Sequence, residues 1–271
     1  MKVAINYADN NFKNAQEFNT KSAYKKGNVD KVIEYSPNDI DNDFFCKYKK
    51  ILTQSRGGGY WLWKPYIIKK TLDLLSDGDY LFYCDSGAYY CNSVDYLIEC
   101  LENNNESILA FEIPLIEKQW TKRDCFILME CDSKEYVNTN QRIATYILFK
   151  KDETTIKFVN EYLEYCCNES ILTDRKSTLE DNYSEFTDHR HDQSVFSLLT
   201  KKYKISGYRE PSQYGDRPWE YFSNNRLYNQ REYINSTYPR IVVSYRKANR
   251  VRFTIKEKIK DILQNINLRY I

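Results

Sequence analysis

The sequence predicts an α/β fold: a single domain with a mostly parallel central sheet flanked by helices. Three observations carry that prediction. The chain opens in β-α-β order, its most apolar short run is unbroken by polar residues, and no internal repeat, low-complexity linker or Pro/Gly-rich hinge divides it. Strands alternating with helices favour a parallel sheet, and a strand buried on both faces reads as a continuous apolar run.

The elements follow in order. Lys2 to Tyr7 is the first strand. A polar helical stretch then runs through Lys26, with Gly27 as the residue that ends it. Asp30 to Tyr35 is the second strand. Lys64-Pro65 opens the clearest helix, because proline suits a first turn and Ile68, Leu72 and Leu75 form an apolar stripe. Asp77-Gly78 closes it. Tyr80 to Cys84 is the central strand and stops at Asp85. A helix from about Ser93 to Glu102 and a strand from Ile108 to Ile113 follow. Ile156, Val159, Leu163 and Cys166 mark a further amphipathic helix, and Val195, Phe196 and Leu199 mark one beginning near Asp188.

Composition narrows the function. Aromatic residues make up 15% of the 271 residues and include 25 Tyr. Tyrosine-lined clefts suit carbohydrate, since sugar CH faces pack on rings and hydroxyls meet the phenol; a genome biased toward Tyr, Lys, Asn and Ile codons would give the same excess. The formal net charge of +2 indicates no general polyanion surface, so nucleic acid is not an expected partner. The eight cysteines form no CxxC pair, which argues against a zinc ribbon or a thioredoxin-like site. Met1-Lys2 runs straight into strand-like sequence without a signal-peptide pattern, and no apolar run has the length of a membrane span. A cytoplasmic location with reduced thiols is the expectation.

Four segments carry chemistry. Asp85-Ser86-Gly87 follows the buried strand at its C-terminal end, where open α/β sheets place their ligands. A carboxylate there can hold a divalent cation that neutralises a diphosphate, and Gly87 lets backbone come close. The same three residues are also good turn chemistry. Arg56-Gly-Gly-Gly-Tyr-Trp-Leu-Trp63-Lys64-Pro65 sets a glycine-rich backbone and two cations before a helix start, an anion-site pattern that does not match a Walker loop; alternatively it is a tight turn whose tryptophans plug the core. Asp188-His189-Arg190-His191-Asp192-Gln193 holds the only two histidines. With Thr187 or Asp188 as N-cap, His191 and Asp192 fall in the first helical turn, and Asp192 leans toward the buried side occupied by Val195 and Phe196. Such a carboxylate can be base, nucleophile, metal ligand or simple cap. Last, Trp120-Thr121-Lys122-Arg123-Asp124 reads as an exposed tryptophan beside two cations, suited to sugar stacking and phosphate contact, or as a solvated loop.

From Arg240 to Ile271 there are nine Lys or Arg against Glu257 and Asp261. Ile255, Ile259, Ile262, Leu263 and Ile266 recur near helical spacing with Lys256, Lys258 and Lys260 between them. A basic amphipathic helix of this kind can lie on an anionic bilayer; the other possibility is that the isoleucines dock the helix onto the domain.

Taken together, Tyr7-Ala8-Asp9-Asn10-Asn11-Phe12, RGGGYWLWKP at 56–65, Asp85-Ser86-Gly87, WTKRD at 120–124 and HRHDQSVFSLL at 189–199 resemble a family of bacterial capsule, O-antigen and lipooligosaccharide glycosyltransferases. The resemblance covers most of the chain. It implies a GT-A-like fold with a Rossmann-like sheet over residues 1–250, followed by a basic tail helix at 251–271. It also implies transfer of a hexose or N-acetylhexosamine from a UDP-linked or similar nucleotide sugar to a saccharide or lipid-linked acceptor, at the cytoplasmic face of the inner membrane. Asp85 stands where such enzymes carry the first Asp of a DxD motif. Gly87 replaces the second, so a Mn2+ or Mg2+ cofactor would rest on Asp85, with His191 completing the coordination. Tyr7, Ala8, Arg56, Trp63, Lys64, Asp85, Ser86 and Gly87 are implied on the donor side, with Lys64 reaching toward it. Trp120, Lys122, Arg123, Asp124 and Gln193 are the expected sugar or acceptor contacts, and Asp192 the catalytic carboxylate. Competing functions are a carbohydrate- or nucleotide-binding module without turnover and a sugar-phosphate nucleotidyltransferase.

Overall fold

The computed structural model describes residues 1–245 and 250–265. Eight strands form in order: β1 (Lys2–Tyr7), β2 (Lys31–Tyr35), β3 (Tyr80–Cys84), β4 (Ala88–Tyr90), β5 (Ile108–Ile116), β6 (Asn140–Lys150), β7 (Gly207–Arg209) and β8 (Val242–Ser244). Six of them build the central sheet in the order β2-β1-β3-β6-β5-β7. The pairs β1–β2, β1–β3 and β5–β7 are parallel, while β6 runs antiparallel to both β3 and β5. The sheet is therefore mostly parallel, as the sequence predicts. A small antiparallel pair, β4–β8, lies outside it.

Alternation along β3 shows why the run Tyr80 to Cys84 carries no polar residue. Leu81 and Tyr83 enter one core with Ile5, Ile147 and Phe149, and Phe82 and Cys84 enter the other with Ala4, Tyr146 and Leu148. The first core is covered by helices α2 (Trp63–Leu72), α4 (Glu153–Cys166) and α5 (Asp192–Lys202); the second packs against α3 (Asp95–Asn103). Both faces of the sheet are thus closed to water, leaving the strand ends as the place for a site.

Several boundaries move. Helix α1 (Lys13–Ser22) continues as a π turn over Ala23–Gly27, and the left-handed residue after it is Asn28, not Gly27. Gly27 is needed for space: a Cβ there would lie 2.7 Å from the Tyr90 ring. Helix α5 begins at Asp192, so Asp188 and Thr187 are not its cap and His191 stands outside its first turn.

Helix α6 (Arg250–Asn265) is not docked by Ile255, Ile259 and Ile262, which are exposed. Its inward face is acidic. Glu257 and Asp261 meet Arg217, whose Nη1 lies 2.5 Å from Asp261, and Arg240 contacts Asp261 at 2.9 Å. Lys260 pairs with Glu220 at 2.7 Å. Ile266 and the remainder of the predicted tail lie outside the described residues.

Arg217 is almost fully buried, and removing it leaves the buried Glu257 with only Lys260, at 3.3 Å, as counter-charge. Arg217→Ala is expected to lower unfolding free energy by about 3 kcal/mol, the low end for a broken buried pair because Asp261 remains partly hydrated. Urea melts check it, and a loss below ~1 kcal/mol would mean the tail is held by other contacts.

Candidate functional site

The segment before α2 adopts an uncommon backbone. Gly57, Gly58, Gly59, Tyr60 and Trp61 all have positive φ, between 52° and 97°. A left-handed turn costs an L-residue roughly 1–2 kcal/mol, so three glycines make it affordable and leave strain at Tyr60 and Trp61. At Gly59 a Cβ would sit 2.7 Å from the Leu52 Cα, which excludes any side chain. The expected amide cradle for an anion is not what forms. The amides of Gly58, Tyr60, Trp61, Leu62 and Lys64 all bond to carbonyls within the turn. What the turn does is aim side chains: Trp61 and Trp63 line a cleft of about 630 Å³ together with Tyr7, Asp9 and Phe12. Tyr7 stacks on Trp63, centroids 3.7 Å apart, and the Trp63 Nε1 donates to the Gly57 carbonyl at 2.9 Å. Ala8 is buried, and its amide bonds the Tyr35 carbonyl at 3.0 Å.

Beside this cleft the ends of β1 and β3 are tied together. Ser86 Oγ donates to the Tyr7 carbonyl at 2.6 Å, and the Asp85 amide donates to Thr145 at 3.0 Å. Buried Asn19 on α1 donates to the carbonyls of Ala88 and Asp85 at 3.0 and 3.4 Å, fixing the turn that contains Gly87.

Three charges converge here. The Lys64 ammonium lies 2.8 Å from Asp192 and 3.7 Å from Asp85, and it also donates to the Ala144 carbonyl at 3.1 Å. The Tyr83 hydroxyl donates to Asp85, and that of Tyr162 donates to Asp192 at 3.3 Å. The side chains of Lys64 and Asp192 are each 4% exposed, against 35% for Asp85. Lys64 therefore does not project into the cleft; it lies beneath Asp85, which is the member of the trio that meets solvent. Burial would push the Lys64 ammonium down, but Asp192 and Asp85 outweigh it and hold the group charged. Burial pushes the Asp192 carboxyl up to about 6, against the pull of Lys64 and Tyr162.

Arg56 stands at the cleft rim, its Nη2 3.0 Å from both oxygens of Asp188 and its Nη1 3.2 Å from Asp174. His191, at φ 52° and ψ −122°, packs its ring against Trp61 and Tyr60. Its Nδ1–H donates to the Leu172 carbonyl at 2.8 Å, and Nε2 lies 3.7 Å from Asp174. Burial pushes the imidazole below its usual range, so it is neutral. His191 faces Asp174 and the tryptophan, an arrangement that does not fit the expected coordination beside Asp85. Among the described residues, no three His, Cys, Asp or Glu side chains cluster as a ready-made metal cage.

The expectation of an exposed Trp120 is corrected. The ring is buried and carries the Arg190 guanidinium 4.3 Å from its centroid. Lys122 is buried too, donating to the Thr173 and Arg175 carbonyls at 2.6 and 3.2 Å. Asp124 accepts from the Thr178 and Leu179 amides at 3.0 Å, and Arg123 pairs with Asp132 at 2.8 Å. These residues clip the loop between α4 and α5 in place, and the Lys122 amide reaches His189 Nδ1 at 3.3 Å. Gln193 donates to Gln141 at 2.8 Å. Asp174 gave no sequence signal, because nothing in its loop has a period; Tyr83 is hidden inside an apolar run and Tyr162 on the buried face of an amphipathic helix.

No protein-family model and no curated protein matches the sequence. Among solved structures, the chain is similar to mouse xyloside xylosyltransferase 1, at 9% identity and TM-score 0.46, over 90% of this chain and 97% of that one. It is also similar to the glycosyltransferase GlyE of Streptococcus pneumoniae TIGR4, at 13% identity and TM-score 0.41, over 90% of this chain and 54% of that one. The bifunctional glycosyltransferase WbbM matches at 12% identity and TM-score 0.41, over 72% of this chain and 36% of that one.

Lys64→Met is expected to destabilise the fold in a pH-dependent way. In the wild type, Asp192 has a folded pKa raised to about 6 above an ordinary carboxyl value near 3.8, so its contribution to stability is greatest at low pH and declines as pH rises through about 6. Without Lys64 the buried carboxylate is costlier still when ionised. The deficit should be about 3 kcal/mol at pH 8 and clearly smaller at pH 5, where Asp192 takes up a proton. Urea melts at the two pH values test this, and an equal deficit at both would mean the pair is not the source.

Proposed function

We propose that this chain is a GT-A-type glycosyltransferase that moves a hexose or N-acetylhexosamine from a nucleoside diphosphate sugar, UDP-linked, to a saccharide or lipid-linked saccharide acceptor in bacterial surface polysaccharide synthesis. One observation carries the reading: the Asp85–Lys64–Asp192 trio stands at the C-terminal edge of parallel strands, beside an aromatic-walled cleft of about 630 Å³. Tyr7, Trp61 and Trp63 give that cleft apolar walls for a base or sugar ring. In transfer, the acceptor oxygen bonds to C1 of the sugar as the C1–O bond to the diphosphate breaks, and the acceptor proton passes to a carboxylate.

The local charges bear on how a diphosphate could bind. Lys64 is matched against two carboxylates and Arg56 against two more, Asp174 and Asp188, while both histidines are held neutral by burial. Each group carries surplus negative charge once its acids are ionised. A binding site for a diphosphate with this balance needs a further cation, and the partly exposed Asp85 is the residue that would hold Mn2+ or Mg2+. Such ions commonly use one or two carboxylates and take substrate phosphates for the rest, so the lack of a preformed cage fits them. When bound, the ion would offset the charge developing on the departing diphosphate. The Lys64 ammonium and the Tyr83 hydroxyl both contact the Asp85 carboxyl and fix its orientation.

Asp85 is the carboxylate that touches substrate in this reading, and Asp192 acts through Lys64. A second reading, favoured by the Asp192 carboxyl at about 6, makes Asp192 the general base, since a catalytic base works best with its pKa near the operating pH.

Asp85→Asn is expected to reduce transfer by about a hundredfold or more, the usual scale for a lost transition-state electrostatic contact. Titration calorimetry with UDP should show tighter binding when Mn2+ is present and no such gain in the variant. UDP binding that ignores both metal and substitution would overturn the proposed diphosphate site. The role of Asp192 is read from the pH profile of kcat/KM. If it is the base, activity falls as pH drops through about 6 and Asp192→Asn removes that limb; a limb that survives overturns this second reading.

A further inference from the structure

Among the described residues nothing covers one face of helix α6, and its composition is one-sided. At 100° per residue, Ile255, Ile259 and Ile262 fall on one line, and Glu257 and Asp261 fall on the opposite side. Those isoleucines are 55%, 51% and 61% exposed. Both acidic residues of the helix are turned inward and neutralised by Arg217, Arg240 and Lys260. Lys256 and Lys258 are exposed on the flanks of the isoleucine line, so the outward charge among the described residues of the helix is positive. Trp219, in the turn Pro218–Tyr221 whose Glu220 pairs with Lys260, is exposed as well.

We propose that this face lies on an anionic lipid bilayer, with the isoleucines among the upper acyl chains and the lysines at the headgroups. The charge pattern selects that occupant. An apolar line bordered by cations, with both acids on the opposite side of the helix, matches a surface that is apolar below and negative above. The ion-pair latch explains how a soluble body can hold a helix without burying its apolar side. Because the acids face the body, the helix is docked and displayed at once. The proposal does not depend on the catalytic reading and fails or stands separately from it.

Cosedimentation of the full chain with vesicles tests it. Vesicles of phosphatidylglycerol and phosphatidylcholine should bind the chain, pure phosphatidylcholine should bind it poorly, and added salt should weaken binding. Ile255→Gln, Ile259→Gln and Ile262→Gln together should reduce partition by about tenfold or more, without lowering the melting temperature, since the side chains are already exposed. Lys256→Gln and Lys258→Gln should each reduce it by about fivefold at low salt. Unchanged partition of the triple isoleucine variant, or equal binding to neutral vesicles, overturns the proposal. So does a concentration-dependent dimer in sedimentation that the triple variant abolishes, because the face would then belong to a second copy of the chain.

Discussion

The buried pairing of Lys64 with Asp192 is the constraint around which the rest is arranged. The two residues come from the first turns of α2 and α5, and the ammonium also bonds Ala144 on β6. One cation thus joins two helices to the sheet beneath the site. A lone charge in that position would be intolerable, and so would two carboxylates without it. The pair therefore fixes relative positions as much as it adds stability. The same ammonium lies 3.7 Å below Asp85, so the carboxyl that ends an otherwise apolar strand has a counter-charge beneath it.

What was legible in the sequence were the features with a period. β1 and β3 were predicted at their observed limits, and β2 and α3 within two residues, because the apolar pattern and the turn residues agree with the packing. β6 was not legible, although it is the longest strand and sits at the sheet's centre. Its first residues, Asn140, Gln141 and Arg142, are polar, and their burial becomes possible only through distant partners at Asn229, Gln193 and Ser197. A pattern that depends on contacts across 50 to 90 residues leaves no local trace. The short strands β4, β7 and β8 were hidden for a related reason, since three residues cannot show a period.

Candidate site residues were legible by type and less so by role. The glycine triplet suits an anion site or a tight turn, and the amides of Gly58, Tyr60 and Trp61 bond to carbonyls in a left-handed turn; sequence shows that glycine is required but not which sign of φ requires it. The segment 120–124 looked like a ligand-facing loop because tryptophan and cations are usually taken as surface chemistry. Here they are internal, holding the loop of residues 173–191 that brings Asp174 to His191 and Arg56. Polar residues that satisfy buried carbonyls cannot be told from ligand contacts without the partner in view.

The two ends of the molecule solve opposite electrostatic problems by the same means. At the cleft, Lys64 is withdrawn beneath Asp85, so the part of the trio that meets solvent is negative and invites a further cation. On α6, acids are withdrawn against Arg217 and Arg240, so the surface is positive and invites an anion. In each case the buried cation has one buried acid, Asp192 or Glu257, and one partly exposed acid, Asp85 or Asp261, and the partly exposed one keeps part of its hydration. At the cleft the exposed carboxyl stands over a buried cation, and on α6 the buried Arg217 draws the acids inward and leaves Lys256 and Lys258 facing out. A substitution at Lys64 or Arg217 should consequently alter what its surface attracts even though neither side chain would touch the ligand.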